Sequence, residues 1–151
     1  MKYLLIFLAV VMLVALGLLA LSFYSARVPE GLGVNEDGLA DCPDRDNCVA
    51  SEASAPGRRV PPIEAVGPEN EVMDRLSSAV LDLGGEIAER QGPYLRAVFT
   101  SPLWRFRDDL ECLYRPAEGR IEIRSASRVG YSDFGVNRRR VETLREALAR
   151  P

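Results

Sequence analysis

The residues able to do chemistry gather in three places, and none includes a histidine, because the chain has none. That absence removes the usual general base near neutral pH, the Ser-His-Asp and Cys-His nucleophile pairs, and the commonest metal ligand. The first place is Cys42 and Cys48, with five residues between them. The spacing is neither the CxxC of a thiol oxidoreductase nor that of a zinc knuckle, and no histidine can complete a metal site. Pro43 and Asn47 favour a chain that bends back on itself. A Cys42 to Cys48 disulfide is therefore the expectation, with free thiols or a metal as the alternatives. Such a bridge restrains the unfolded chain by roughly 2 to 2.5 kcal/mol. Cys112 stands apart, in an apolar alternation that suits a small buried hydrophobe.

The second place is the acid pair Asp108 and Asp109. Neighbours on a strand point to opposite faces, so the two cannot serve together as a glycosidase pair. The third is residues 120–140, where six arginines meet only Glu122 and Asp133, a local net charge of +4 in a chain whose formal charge is −3. Arg138, Arg139 and Arg140 crowd the first turn of the expected last helix, where the dipole disfavours positive charge. An anion is needed nearby. Asp108, Asp109 and Asp133 can supply it from within, or a phosphate, sulfate or carboxylate from outside. The candidate ligand-binding set is Asp108, Arg124, Ser125, Ser127, Arg128, Asp133, Asn137, Arg138 and Arg139. The pattern calls for no cofactor and no metal, and it names no catalytic residue.

These residues need a scaffold, and the sequence punctuates one. Pro68 suits a first helical position, Glu69 and Glu71 match the positive end of the helix, and Gly84-Gly85 ends it. Val72, Leu76, Ala79, Val80 and Leu83 recur at helical spacing. Strand character follows at 86–91, 94–100, 105–115 and 120–127, and a last helix runs from about 136 to 150 with Val141, Leu144 and Leu148 on one face. The order α-β-β-β-β-α with tight connections predicts an α+β domain, a four-stranded antiparallel meander covered on one face by two helices. The loop 116–119 sets Arg115 opposite Arg120, so partner numbers along this hairpin sum to about 235. Phe106, Leu110, Cys112, Tyr114, Ile121 and Ile123 then fall on the helix-covered face. Arg107, Asp109, Glu111, Arg124 and Arg128 fall on the other, as a solvated ladder of charges. Asp108, opposite Ser127, lands on the covered face, where a carboxylate must be paired. Its expected partners are Ser125, Ser127 and the backbone amides of residues 129–135.

Residues 3–24 carry no charge and would form a helix roughly 33 Å long, against a hydrocarbon core of about 30 Å. The run is longer than the apolar stretch of a cleaved signal, so a single-pass anchor (residues 1–26) in the inner membrane is the expectation, with cleavage near Ala20-Leu21-Ser22 as the alternative. The α-amino group and Lys2 before the span, against Arg27 after it, put the N-terminus in the cytoplasm and the domain outside, where disulfides form. Residues 27–41, without periodicity, read as a tether, 42–151 as the soluble domain, and 52–62, with three prolines, as an extended covering segment. A pI near 5.1 and an extracytoplasmic placement exclude nucleic acid as a partner and leave anionic lipid, polymer or an envelope protein.

Cys42-Pro43, Asn47-Cys48-Val49, Ser51, the run Phe106-Arg107-Asp108-Asp109 and above all residues 123–140 (IRSASRVGYSDFGVNRRR) resemble the bacterial and plastid family known as domain of unknown function 1499. The resemblance implies a small domain behind an N-terminal membrane or export segment, and it brings no established activity, cofactor or catalytic residue. The function expected is a non-catalytic binding or assembly module of the cell envelope. The alternative is an envelope hydrolase using Asp108 or Asp109 with the arginines around an anionic substrate.

Overall fold

A computed structural model describes residues 1–150. It opens with helix α1 (Lys2–Ser25), long and apolar enough to cross a membrane. A helix apolar on every side has no polar face to turn to water. Its large side chains stand clear of the rest of the chain, and only Ser25, at its end, is buried. One such N-terminal helix fits a membrane anchor or a signal sequence.

Helix α2 (Glu69–Asp82) begins one residue later than the proline rule places it, with Pro68 just outside the first turn. It ends where expected, because Gly84 turns into the left-handed region and the amides of Gly84 and Gly85 close back on Leu81 and Val80. The meander follows as β5 (Glu86–Gln91), β6 (Tyr94–Thr100), β7 (Arg107–Arg115) and β8 (Arg120–Ser127), each antiparallel to the next, and then helix α3 (Val136–Ala149). The register of β7 on β8 is the expected one, Arg115 facing Arg120 and Asp108 facing Ser127. β7 starts two residues later than predicted. Arg105 adopts φ 57°, and the Ser101 and Phe106 backbones bond each other, so residues 101–106 close into a turn that holds Phe106 half-buried.

The sheet is larger than the predicted meander. Two short strands ahead of it, β3 (Cys48–Ala50) and β4 (Ile63–Glu64), both pair antiparallel with β8, Cys48 opposite Ala126 and Ile63 opposite Ile121. They give a six-stranded sheet in the order β3-β8-β7-β6-β5, with β4 beside β3 on the same neighbour. A four-stranded meander would have left β8 as an open edge, and these segments close it. Residues 52–62 arch between the two strands through a turn at Pro56–Arg58 and bury Ala53 and Val60, so this stretch is less extended than expected.

α2 and α3 cover one face of the sheet. Val72, Met73, Leu76, Val80, Val141 and Leu144 pack there on Leu95, Ala97, Leu110, Cys112, Tyr114, Ile121 and Ile123. The second face corrects the expectation of a solvated ladder, since Asp109, Glu111 and Glu122 are all buried. Residues 27–41 fold back over it, with a small hairpin of β1 (Val34–Asn35) and β2 (Gly38–Leu39) lying against β7 and β8. Gly38 fits because it has φ 110° and a Cβ there would sit 2.8 Å from an Arg115 guanidinium nitrogen, a position only glycine fills without strain.

Candidate functional site

The end of the sheet where β7 begins and β8 finishes carries a charged network on each face. On the helix-covered face, β6, β7 and β8 align Phe99, Asp108 and Ser127 in one row. Asp108 is answered by Arg140 of α3, Nη2 to Oδ2 at 2.6 Å, and not by the loop amides or serines. The Arg140 guanidinium lies 4.4 Å over the Phe99 ring and also donates to the Ser125 hydroxyl oxygen and to Asn137 Oδ1. Asn137 is fully buried and ties the network together. Its Oδ1 accepts from the Ser125 hydroxyl at 2.6 Å, and its Nδ2 donates to the Asn47 carbonyl and the Ser127 hydroxyl, both at 3.0 Å. Asn47 in turn donates to the carbonyls of Gly130 and Ser127. The loop amides are held by Asp133, whose carboxylate accepts from Gly135 N at 2.9 Å and Asn137 N at 2.7 Å and so caps the start of α3.

The three consecutive arginines diverge. Arg138 donates to the carbonyls of Gly57 and Arg59, Arg139 to that of Phe134, and Arg140 turns inward. The predicted set therefore divides. Asp108, Ser125, Ser127 and Asn137 come together with Asp133 beside them, Arg138 and Arg139 point elsewhere, and Arg124 and Arg128 lie across the sheet. Asn47 and Arg140 complete the inner network without having been singled out as site residues. Arg140 carried a signal: Asn137, Arg140, Val141 and Leu144 share one face of a helix by spacing alone.

On the opposite face, a row runs Arg96, Glu111, Arg124 across β6, β7 and β8. Glu111 is completely buried and accepts from Arg124 at 2.8 Å, from the Tyr94 hydroxyl at 2.9 Å and from Gly33 N at 2.7 Å. Burial, and then the charge and hydrogen bond of Glu111, push the Tyr94 phenol well above its ordinary range. Asp109 is gripped by Arg128, and Arg96 lies 3.5 Å away. The disulfide joins Cys42 to Cys48. Beside it Asp41 accepts from the Cys42 and Ser54 amides, and hydrogen bonding from Ser54 is the largest influence holding its carboxyl below the usual range.

Between the disulfide loop, residues 29–32 and the sheet lies a cavity of about 430 Å³, lined among others by Glu30, Asp41, Arg45, Asp109, Arg124 and Arg128. Arg124 spends one nitrogen on Glu111, and its Nε is buried without a partner. A larger groove of about 680 Å³ runs between α2 and α3, but no buried polar group among the described residues lacks a partner there. Among the described residues no three Cys, Asp or Glu side chains are grouped to hold a metal. The site so built is a small α+β domain behind an apolar helix, with arginine-carboxylate pairs braced on both faces of its sheet.

A family model described as a protein of unknown function (DUF1499) matches residues 38–148, and the chain belongs to that family. No curated protein and no solved structure matches it.

Proposed function

We propose that the chain is a membrane-anchored, non-catalytic module of the cell envelope whose outer-face cavity takes the phosphate or carboxylate of an anionic lipid or polymer. Arg124 is the principal contact, with Arg45 at its side; Arg128 also lines the cavity, but its three nitrogens are held by Asp109 and the carbonyls of residues 25–27. The observation that carries this reading is that Arg124, whose buried Nε lacks an acceptor, lines a cavity together with Arg45, whereas the equally unpartnered Nε atoms of Arg58 and Arg120 adjoin no such cavity; an anion there would supply the acceptor. The inner network contributes structure: Asp108, Ser125, Ser127 and Asn137 satisfy one another, and Asp133 satisfies the turn. Retention of α1 as an anchor is supported by its length, long enough to span the hydrocarbon core, and by the contacts that bury Ser25 and tie the end of the helix to Arg128. The disulfide fits an oxidising compartment, which agrees with a cytoplasmic N-terminus and an external domain. Hydrolysis has less support, because Asp108 and Asp109 stand on opposite faces and each is already held by an arginine.

The test is thermal unfolding of the full chain in nonionic detergent with short-chain phosphatidylglycerol, an anionic polymer, inorganic phosphate or phosphatidylcholine added. The expected result is stabilisation by at least one of the anions, none by the zwitterion, and loss of the effect in Arg124→Gln. An unliganded-like Tm under every addition overturns the reading.

A further inference from the structure

The two loops at this same end of the sheet display large apolar side chains to solvent. Phe134 is 88% exposed, Leu103 76% and Tyr131 66%, with Trp104 half-exposed beside Leu103. Phe134 also holds φ 54°, a left-handed conformation that bulky residues adopt only under strain. Hydrogen bonds to Ser132, Asp133 and Arg139 hold the turn around Phe134, but the exposed ring itself has no apolar neighbour to cover it.

The position of these loops relative to α1 explains what can. β6 ends at Thr100 opposite Arg107, and β8 ends at Ser127 opposite Asp108, so residues 101–106 and 129–135 leave the sheet on one side. With strands about 4.8 Å apart, the first turn lies within roughly 10 Å of the end of β8. α1 arrives at that same end, because Arg128, the residue after β8, donates to the carbonyls of Ser25, Ala26 and Arg27. The point where α1 leaves the domain therefore lies at the same end of the sheet as the loops. Exposed Arg105 and Arg139 stand beside them, which gives the mixture of aromatic, aliphatic and arginine side chains suited to the headgroup layer.

We propose that residues 101–106 and 129–135 seat in the headgroup layer of the membrane that holds α1, a second footing formed by Leu103, Trp104, Tyr131 and Phe134. It rests on the reading of α1 as a retained anchor and is independent of the cavity at Arg124.

Trp104 is the chain's single tryptophan, so its emission reports on this footing alone. The full chain is reconstituted into phosphatidylcholine and phosphatidylglycerol vesicles, with and without lipids brominated high on the acyl chain. Trp104 is expected to lose emission to the brominated lipid and to be shielded from aqueous acrylamide. The double variant Trp104→Phe, Phe134→Trp moves the reporter to the most exposed position and is expected to behave alike. With Met1 or Lys2 still present by intact mass, quenching by acrylamide and none by brominated lipid at both positions overturns the footing and leaves the anchor standing. Shielding without lipid quenching that disappears on protein dilution assigns the surface to a second copy and overturns it too. A mass beginning after residue 22 overturns anchor and footing together.

Discussion

Arg128 grips Asp109 at two points, Nε to Oδ2 at 2.7 Å and Nη2 to Oδ1 at 2.8 Å, while its third nitrogen reaches the carbonyls of Ser25, Ala26 and Arg27. One guanidinium thus joins a buried sheet carboxylate to the C-terminal end of the apolar helix, where cations are favoured and carbonyls otherwise lack partners. Asp109 is 1% exposed, so removing its charge strands Arg128. Asp109→Asn should cost about 3 to 5 kcal/mol in urea unfolding of the full chain in detergent, and the pair Asp109→Leu with Arg128→Met should lose less. Equal losses would contradict the pairing.

Asn137 and Asp108 belong to one network but differ in what their loss leaves behind. Asn137→Ala takes one of two donors from the Asn47 carbonyl, which keeps the Ser127 amide, and unties two serine hydroxyls in a fully buried place, with a cost of roughly 2 to 4 kcal/mol. Asp108 keeps 16% of its side chain exposed and Arg140 10%, so water screens the pair, and Asp108→Asn should cost about 1 to 2 kcal/mol. Chemical denaturation of the two variants checks the order, and the reverse order would displace Asn137 from the centre of the network.

Tyr94 sets an alkaline limit. Its phenol titrates higher in the folded chain than in the unfolded one, so its contribution is complete below about pH 10 and declines as pH rises above that value. The decline approaches about 1.4 kcal/mol per pH unit while only the unfolded chain ionises. Tyr94→Phe has no such term. The stability gap between wild type and Tyr94→Phe, measured from pH 8 to 11, should narrow at the alkaline end; a constant gap would remove Glu111 and burial as the cause.

The cysteines should separate cleanly by reactivity. Without reductant, intact mass should show Cys42 and Cys48 as a pair two hydrogens lighter, and reduction should lower stability by roughly 2 to 2.5 kcal/mol for so small a loop. Cys112 is fully buried, and burial pushes its thiol upward, so alkylating reagents should reach it only as the chain unfolds. Labelling of native Cys112 at the rate of a free thiol would place it at the surface.

The meander was readable because its signals are local and repeated. A two-residue side-chain period plus the short loop at residues 116–119 was enough to set Asp108 opposite Ser127. β3 and β4 were not readable. Strands of three and two residues carry no period, and only contact with β8 makes them strands. Residues 27–41 failed for a related reason: an aperiodic Gly-rich segment looks the same whether it hangs free or lies over a sheet. The charged alternation Asp109, Glu111 and Arg124 therefore reads as facing water, although Gly33 covers Glu111 and Gly38 lies on the neighbouring Arg115 and Glu122. The register of β7 on β8 shows that Asp108 needs a partner, whereas three adjacent arginines leave open which one turns inward, because that depends on the phase of α3.

The pairing of β3 and β4 with β8 has a consequence for the order of assembly. A chain that emerges N-terminus first delivers residues 48–64 long before 120–127, the strand on which both must zip. Until then two strand-forming segments, one of them containing half of the disulfide, wait unpaired, and non-local closure of this kind is slow and exposed to misassociation. The Cys42–Cys48 bridge spans only residues that have emerged by then, so its closure does not depend on β8.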